Sequence, residues 1–535
     1  MQPKVQKFVI DSILGGLSPA SHFAGKGQVR AMLGLDPAQP IDDADGVYST
    51  IASGLIRPAA SEKFSGTQIG AAPLWIVTNP KNASVFVLDA RGSAYTIDAA
   101  FTTVSPISDA GELSNGKGNG MEYYDNYIYL SKNTTVARIG PLNGTITING
   151  DYWVTTLSKT ALVDTTYPTS FKNSIEFPNH FLKRHTDGRL YIADVVGNQG
   201  IVHFIKTTKT TVEGDTDNGS TYNALDLPYG YWPTAIESYG TDIAVASYDG
   251  SASNVNQSRA KISFWDTTSA SPDKSIDREF PDPLISGLRN VNGTLYAISG
   301  SFNARGFRIS RFIGGYSFEE VHYSETGELP FGGAIDTVLN RLLVGSHTHV
   351  PESDGCVYSV GLQKGALSNG VFNTMRSTGG TSSTSVTAVC VADNTELGFN
   401  VPIIGWTQAG EGSTGVSHGL DKQGTSYSAA PTVVWSEMVR PGLPFKIRRI
   451  RIPFAQAMAD GMNWEVYMYL DDGTTVRKFD DINYTRYGTK KAASIRPDGL
   501  TGDHNFWLGL RHTGSVLCTL NLPIIIEWEY IATDD

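Results

Sequence analysis

With 535 residues the chain is too long for one ordinary hydrophobic core, so it either splits into several domains or repeats a unit that packs on its neighbours. Only 18% of residues are charged against 40% hydrophobic, and 56 Gly and 24 Tyr stand where helical proteins carry Lys and Glu, a composition of strands and tight turns that excludes a disordered or mainly helical chain. The net charge of −11 repels phosphate backbones and sets nucleic acid aside as a partner, and no run approaches the roughly 18 apolar residues of a membrane-spanning helix.

Residues 1–72 differ from the rest: rich in Gly, Ala and Pro, with an acidic patch at Asp42, Asp43 and Asp45 and no sustained alternation. Lys4 and Lys7 precede Phe8-Val9-Ile10, but Asp11 and Gly15-Gly16 break the apolar run, against a signal peptide. A short helix is expected over Gln28–Leu33, stopped by Gly34. Leu17, Phe23, Leu33, Leu35, Leu55 and Ile56 are too many apolar residues for a free tail, so the segment reads as an extended arm ordered against a partner or the rest of the chain.

From residue 73 to about 425 hairpin-bearing units recur. Apolar runs at Leu74–Val77, Tyr127–Leu130, Leu190–Ala193, Ile243–Ala246, Leu295–Ile298, Leu342–Gly345 and Val401–Ile404 are expected as first strands, each with a partner strand following. Asp187-Gly188 and Asn292-Gly293 supply turn signals just before two of them. Seven such units, each about 50–60 residues long and so somewhat longer than common propeller repeats, point to an all-β chain with a seven-bladed β-propeller, since ring closure hides sheet edges. Stacked sandwiches are the alternative. Residues 366–384 read as an inserted polar loop before the last blade.

A boundary near 423–431 precedes a C-terminal β-sandwich-like domain, 431–535. Its strands are expected at Phe445–Phe454, Trp464–Leu470, Thr475–Phe479, Asn505–Leu510 and Leu522–Tyr530, with a turn at Asp471-Asp472-Gly473.

Site chemistry is sparse, and no catalytic residue, cofactor or metal is expected. His347 and His349 would share one strand face, with Cys356 close by, but no fourth ligand follows. The stretch Asp215–Gly219 starts like a calcium loop, yet its Gly is one place early and no Glu closes it. Cys356, Cys390 and Cys518 have no metal spacing and read as small apolar residues. Asp89, Asp194, Asp249 and Asp336 follow blade strands, where they would face a central funnel or cap turns. Two surface candidates remain. Lys446, Arg448, Arg449 and Arg451 alternate with apolar residues across a register change that signals a bulge; the cations either solvate an edge strand or meet an acidic partner, such as another copy of this chain. Tyr229, Tyr231 and Trp232 form an aromatic loop that either stacks on sugars or caps a blade.

Several stretches resemble a family of virion structural proteins of tailed bacteriophages: Gly15–Leu17 through Gly34–Pro37, Ala52–Pro58, Pro233–Ile236 with Ile243–Tyr248, Arg308–Glu319 and Pro444–Ala457. The resemblance spans most of the chain through packing and turn motifs, and it brings no catalytic residue. It implies a propeller carried on the virion exterior, in tail or neck, anchored by the N-terminal arm, with other virion proteins and copies of itself as partners. A receptor- or glycan-binding appendage module, meeting a host surface glycan in an extracellular setting, is the first alternative. A propeller-type polysaccharide hydrolase or lyase is the second.

Overall fold

The computed structural model describes residues 5–10, 16–17, 28–32, 48–49, 54–56, 59–66, 69–81, 84–107, 116–164, 170–171, 175–176, 180–206, 220–250, 258–269, 274–301, 306–314, 317–324, 327–338, 341–348, 356–361, 371–376, 384–394, 399–408, 417–427, 433–436, 438–454, 456–470, 476–488, 490–497, 499–514 and 520–531. The chain forms two compact units. One is built from Glu62–Gly355 and Ser377–Gln423, the other from Met1–Ser61, Cys356–Arg376 and Gly424–Asp535. Among the described residues no helix is long and apolar enough to cross a membrane.

The first unit is a seven-bladed β-propeller. Its innermost strands are Pro73–Thr78, Gly118–Tyr124, Leu182–Arg184, Tyr231–Tyr239, Leu284–Val291, Ile335–Val338 and Thr384–Asn394. Each pairs antiparallel with the strand that follows it, and blades 1 to 5 continue to a third and a fourth strand. Every inner strand packs beside the next, and Thr384–Asn394 returns to Pro73–Thr78, which closes the ring. The Asn292-Gly293 turn has both residues at positive φ (49° and 86°), the type I′ geometry that its sequence predicts.

One expectation needs correction. In six of the seven units the apolar run expected as the first strand is the second, because the true inner strand lies before it: Gly118–Tyr124 precedes Tyr127–Lys132, and Leu284–Val291 precedes Thr294–Gly300. The second strand is covered on both faces and reads as an unbroken apolar run; Leu190–Ala193 and Ile243–Ala246 are fully buried. The inner strands break their own alternation. Five carry a register shift near the start, at Pro73/Trp75, Gly118/Gly120, Pro233/Ala235, Ile285/Gly287 and Val386/Ala388. A bulge turns the side chains after it to the other face, so a period of two fails there.

The second unit holds two sheets that face each other through one apolar core. The first sheet runs Gln6–Ile10, Ile524–Tyr530, Phe445–Pro453 and Ala492–Ile495. The second runs Gly16–Leu17, Gln28–Met32, Val433–Trp435, Phe506–His512, Asn463–Leu470 and Val476–Asn483. Phe445, Ile450 and Ile526 of one sheet join Trp464, Val466 and Leu508 of the other in a buried cluster, the packing of a β-sandwich. The C-terminal strands form where the sequence predicts them. The expected turn at Asp471–Gly473 lies outside the described residues, between two strands that do pair antiparallel.

The arm is divided between the units. Gln6–Ile10 pairs antiparallel with Ile524–Tyr530, with Phe8 and Ile10 on the core. Gln28–Met32 is a strand and not the expected helix: it pairs with Val433–Trp435, and tertiary pairing overrides a weak five-residue propensity. Residues 62–72 go with the propeller, where Ser65–Gly66 runs parallel to Thr103–Pro106 and Ile69 is buried. Within the stretch expected as a polar loop, Val371–Arg376 is a strand of the second unit, paired with Cys356–Gly361 and Ala59–Lys63; the remainder, 366–370 and 377–383, lies outside the described residues.

Candidate functional site

The inner strands bring one residue per blade to the same level of the propeller channel: Val77, Glu122, Lys183, Glu237, Arg289, Asp336 and Cys390, all of which line one cavity of about 230 Å³. Val77, Glu122, Glu237, Arg289 and Cys390 each stand two residues past the inner-strand bulge. Lys183 and Asp336 hold the equivalent place on the shorter inner strands of blades 3 and 6. From blade 2 to blade 6 the charges alternate in sign.

Glu237 is the hub of this arc. It is buried; Lys183 Nζ stands 2.9 Å from its Oε1 and the Ser238 amide donates to the same oxygen at 3.0 Å. Arg289 stands 3.7 Å from Oε2, beyond hydrogen-bond reach. Asp336 accepts from the amide of Val391, one blade on, at 2.8 Å. Burial raises the carboxyl of Glu122 above its ordinary range; Lys183 opposes the rise and Glu237 adds to it. Burial likewise raises Asp336, with Arg289 pulling the other way. Burial, reinforced by the neighbouring Asp336, pushes the Cys390 thiol well up, which leaves a weak nucleophile. A wider space of about 400 Å³ shares Glu122, Lys183, Glu237 and Asn290 with the cavity and extends over Arg184, His185 and Asn292. The channel can therefore hold a polar guest and can reach it from one end.

Of the four aspartates expected at blade strands, only Asp336 lines the channel. Asp89 is buried and caps a turn, accepting from the amides of Arg91 and Ser93 at 2.9 and 2.8 Å and from Tyr95 Oη at 3.2 Å. Asp194 is buried between His180 and His203, whose Nε2 atoms lie 3.4 and 3.3 Å away, and it accepts from the amides of Val163 and Val195. Its burial would raise its pKa, but the hydrogen bonds of the two imidazoles hold it far below the carboxylate range. With all three side chains wholly buried, this is a structural knot. Asp249 is half-buried at the end of its strand.

In the aromatic loop, Tyr229 is 73% exposed, whereas Trp232 donates to Asn198 Oδ1 at 2.9 Å and packs edge-on against Tyr248, and Lys261 lies over the Tyr231 ring. Trp232 is thus engaged within the propeller, and Tyr229 is the most exposed ring of the three.

The basic cluster lies on Phe445–Pro453, with the expected bulge between Ile447 and Arg449. The strand is not an edge: Ile524–Tyr530 flanks it on one side, Ala492–Ile495 and Thr501–Gly502 on the other. Three of its four cations face acids within the chain. Arg449 pairs with Glu527 through two bonds of 3.0 and 2.9 Å, Arg448 pairs with Glu529, and Lys446 stands opposite Glu529 in register. Arg451 is exposed. The side chains of His347 and Cys356, and all of His349, Asp215–Gly219 and Cys518, lie outside the described residues. Among the described residues no group of three or more His, Cys, Asp or Glu could hold a metal ion.

The channel arc escapes a reading of the sequence because bulges break the alternation around Glu122, Glu237 and Arg289, and Lys183 sits on an inner strand of only three residues. The signal that could have found them is a charged residue shortly before the apolar second strand in blades 2 to 6.

No family model matches the chain, and no curated protein does. Among solved structures it is similar to the β-propeller domain of Cps50 (Swd1) from Myceliophteria thermophila, at 12% identity and a TM-score of 0.39 over 65% of this chain and 99% of that one. It is also similar to the N-terminal domain of Nup159, at 11% identity and a TM-score of 0.37 over 69% and 94%. A third is the extracellular domain of a hybrid two-component system protein from B. thetaiotaomicron, at 9% identity and a TM-score of 0.37; there the match spans 82% of this chain but 47% of the other. The propeller itself is read from the strand pairing and ring closure of this chain.

Proposed function

We propose that the chain is a non-enzymatic structural protein of a tailed-phage virion, an exterior tail or neck component in which the propeller is a rigid disc and the second unit an assembly module. The observation that carries this reading is the pairing of Gln6–Ile10 with Ile524–Tyr530. A terminal strand held by main-chain bonds plus Phe8 and Ile10 can be donated to a neighbouring copy as readily as to its own sheet, which is how extended arms knit subunits together. Its outer edge, with Val5 and Val9 exposed, is a further main-chain surface for other virion proteins. The acidic net charge suits an exterior position better than a DNA-lined one.

Quantitative mass spectrometry of density-purified particles from the source culture tests the reading. Co-banding at a fixed ratio to the major capsid protein supports it; absence from particles refutes it. Deleting residues 1–10 tests the arm, since undiminished incorporation of the truncated chain would eliminate the strand-donation mechanism.

A receptor- or glycan-binding appendage module is the second reading, and the exposure of Tyr229 favours it. A glycan array with product analysis separates it from the remaining one: retention without cleavage supports a binding module, and new reducing or unsaturated ends support a polysaccharide hydrolase or lyase.

A further inference from the structure

Two opposite charges that line the propeller channel are left largely unanswered by the chain. Glu122, on blade 2, is half-buried and lines both the cavity and the wider space at its end. Among the described residues no hydrogen bond or ion pair holds its carboxyl; Lys183, Arg289 and Arg184 act on it through their charge alone, and Glu237 acts against them. Arg289, on blade 5, lines the same cavity with a side chain that is 22% exposed. Its Nη1 donates to the Leu288 carbonyl at 3.0 Å and stands 3.7 Å from Glu237. Most of the five donors of the guanidinium are therefore unused among the described residues.

The remaining charges of the arc are already engaged. Lys183 stands on Glu237, and Asp336 accepts from the Val391 amide and the Cys390 thiol. A lone anion at Arg289 would face Glu122, Glu237 and Asp336, and a lone cation at Glu122 would face Arg289 and Lys183, so either one alone meets repulsion in the same small space. Among the described residues no group of acids suits a metal ion. A molecule that carries an ammonium and a carboxylate on one frame answers both sides, since a guanidinium takes a carboxylate through two parallel bonds. Val77 and Leu288 add apolar surface for a short side chain. The cavity, at about 230 Å³, is below the roughly 300–1,000 Å³ of sites for drug-sized ligands, which restricts the guest to a small one. The wider space beyond Glu122 and Lys183 gives it a way in.

We propose that the propeller channel binds a small zwitterionic amino acid, with its ammonium on Glu122 and its carboxylate on Arg289. The proposal does not depend on the virion reading and differs from surface glycan recognition through Tyr229.

The test is titration of the full chain with glycine, alanine and serine, read by calorimetry and saturation-transfer NMR. Propionate and ethylamine, which are alanine without its ammonium and without its carboxylate, are the comparisons. At least one amino acid is expected to bind, and alanine at least tenfold more tightly than either comparison. Glu122→Gln and Arg289→Gln are each expected to weaken amino-acid binding about tenfold or more, roughly the scale of one lost charge-assisted hydrogen bond, while Tyr229→Ala leaves it unchanged. If Arg289→Gln does not fold, Glu122→Gln, whose side chain no partner within the described chain depends on, carries the test together with the two alanine fragments. Binding by none of the amino acids would overturn the proposal. So would propionate or ethylamine binding as tightly as alanine, an affinity unchanged in either folded channel variant, or binding abolished by Tyr229→Ala.

Discussion

Thr387 donates its hydroxyl to the carbonyl of Pro73 at 2.5 Å, across 314 residues of sequence, and so ties the seventh blade to the first. Thr387 is the residue inside the bulge of its inner strand, between the paired positions Val386 and Ala388, and it is wholly buried. The residues at the matching bulges of blades 2, 4 and 5 are Asn119, Thr234 and Ser286, all polar and buried. The bulge therefore turns a polar side chain inward at a repeated position, and in blade 7 that side chain closes the ring. Replacing it with the isosteric valine leaves the Pro73 carbonyl buried without this donor. Thr387→Val is expected to cost about 1–3 kcal/mol, read as a lower denaturant midpoint with an unchanged slope. A methyl group on Gly333 would sit 1.8 Å from the Leu74 carbonyl oxygen, a backbone atom that cannot swing aside, so Gly333→Ala is expected to lose more.

The Asp194 knot makes a second prediction. Its carboxylate satisfies two backbone amides and two imidazoles at once, and His180 also reaches the Val163 carbonyl at 2.9 Å and Asn119 at 3.2 Å. Blades 2 and 3 are thereby joined through one charge that water does not reach. Asp194→Ala strands these partners in the interior and is expected to cost on the order of 3–5 kcal/mol, measured by chemical denaturation. An Asp194→Ala protein as stable as the parent would show that the knot is a spectator.

Much of this fold is legible in the sequence because the second strands are buried on both faces and declare themselves as runs such as Ile243–Ala246, and because Asn292-Gly293 takes the turn that its residues demand. The phase of the repeat is not, since the inner strands hide behind bulges and polar positions such as Gly118-Asn119-Gly120. The channel arc is invisible for the same reason: Glu122 and Arg289 follow no alternation once the bulge has shifted it. Of its members only Asp336 follows from the rule that places aspartates at blade-strand ends, and that rule points equally to Asp89, which is a turn cap. In the second unit the bulge at Arg448-Arg449 can be read from the residues alone. The acids that answer it, Glu527 and Glu529, lie some eighty positions on, and only the register of two paired strands brings them together.

That register yields a third prediction. The Arg449–Glu527 pair is bidentate but about two-fifths exposed on the arginine side. Solvent and salt screen such a pair, so a double-mutant cycle on Arg449→Ala and Glu527→Ala is expected to give a coupling of about 0.2–1 kcal/mol that shrinks as ionic strength rises. A coupling of several kcal/mol, or one insensitive to salt, would mean that the pair is enclosed by something the free chain lacks, as it would be in an interface between copies.

The last prediction concerns acid stability. His322, on the outer strand of blade 5, is fully buried, and burial lowers its pKa from the ordinary 6.5 to about 4. Burial lowers His203 as well. In the unfolded chain these imidazoles take up a proton near pH 6.5, while in the folded chain His322 does so only near pH 4. Between those values the unfolded state binds more protons, so stability falls as pH falls, and the neutral His322 is worth its full contribution only above pH 6.5. The gap corresponds to a loss on the order of 3 kcal/mol across that window for this residue alone. The raised carboxyls of Asp89, Glu122 and Asp336 act in the opposite sense, because the folded state takes up their protons first and gains stability as pH drops. The His322→Gln variant separates the two, since glutamine does not titrate. Denaturation curves at pH 7 and pH 4.5 should show the parent losing more stability than the variant by about that amount, whatever packing cost the substitution brings at both pH values. Parallel pH profiles for parent and variant would mean that His322 is protonated with little penalty in the folded protein, and that its surroundings hold an acceptor or water able to carry the charge.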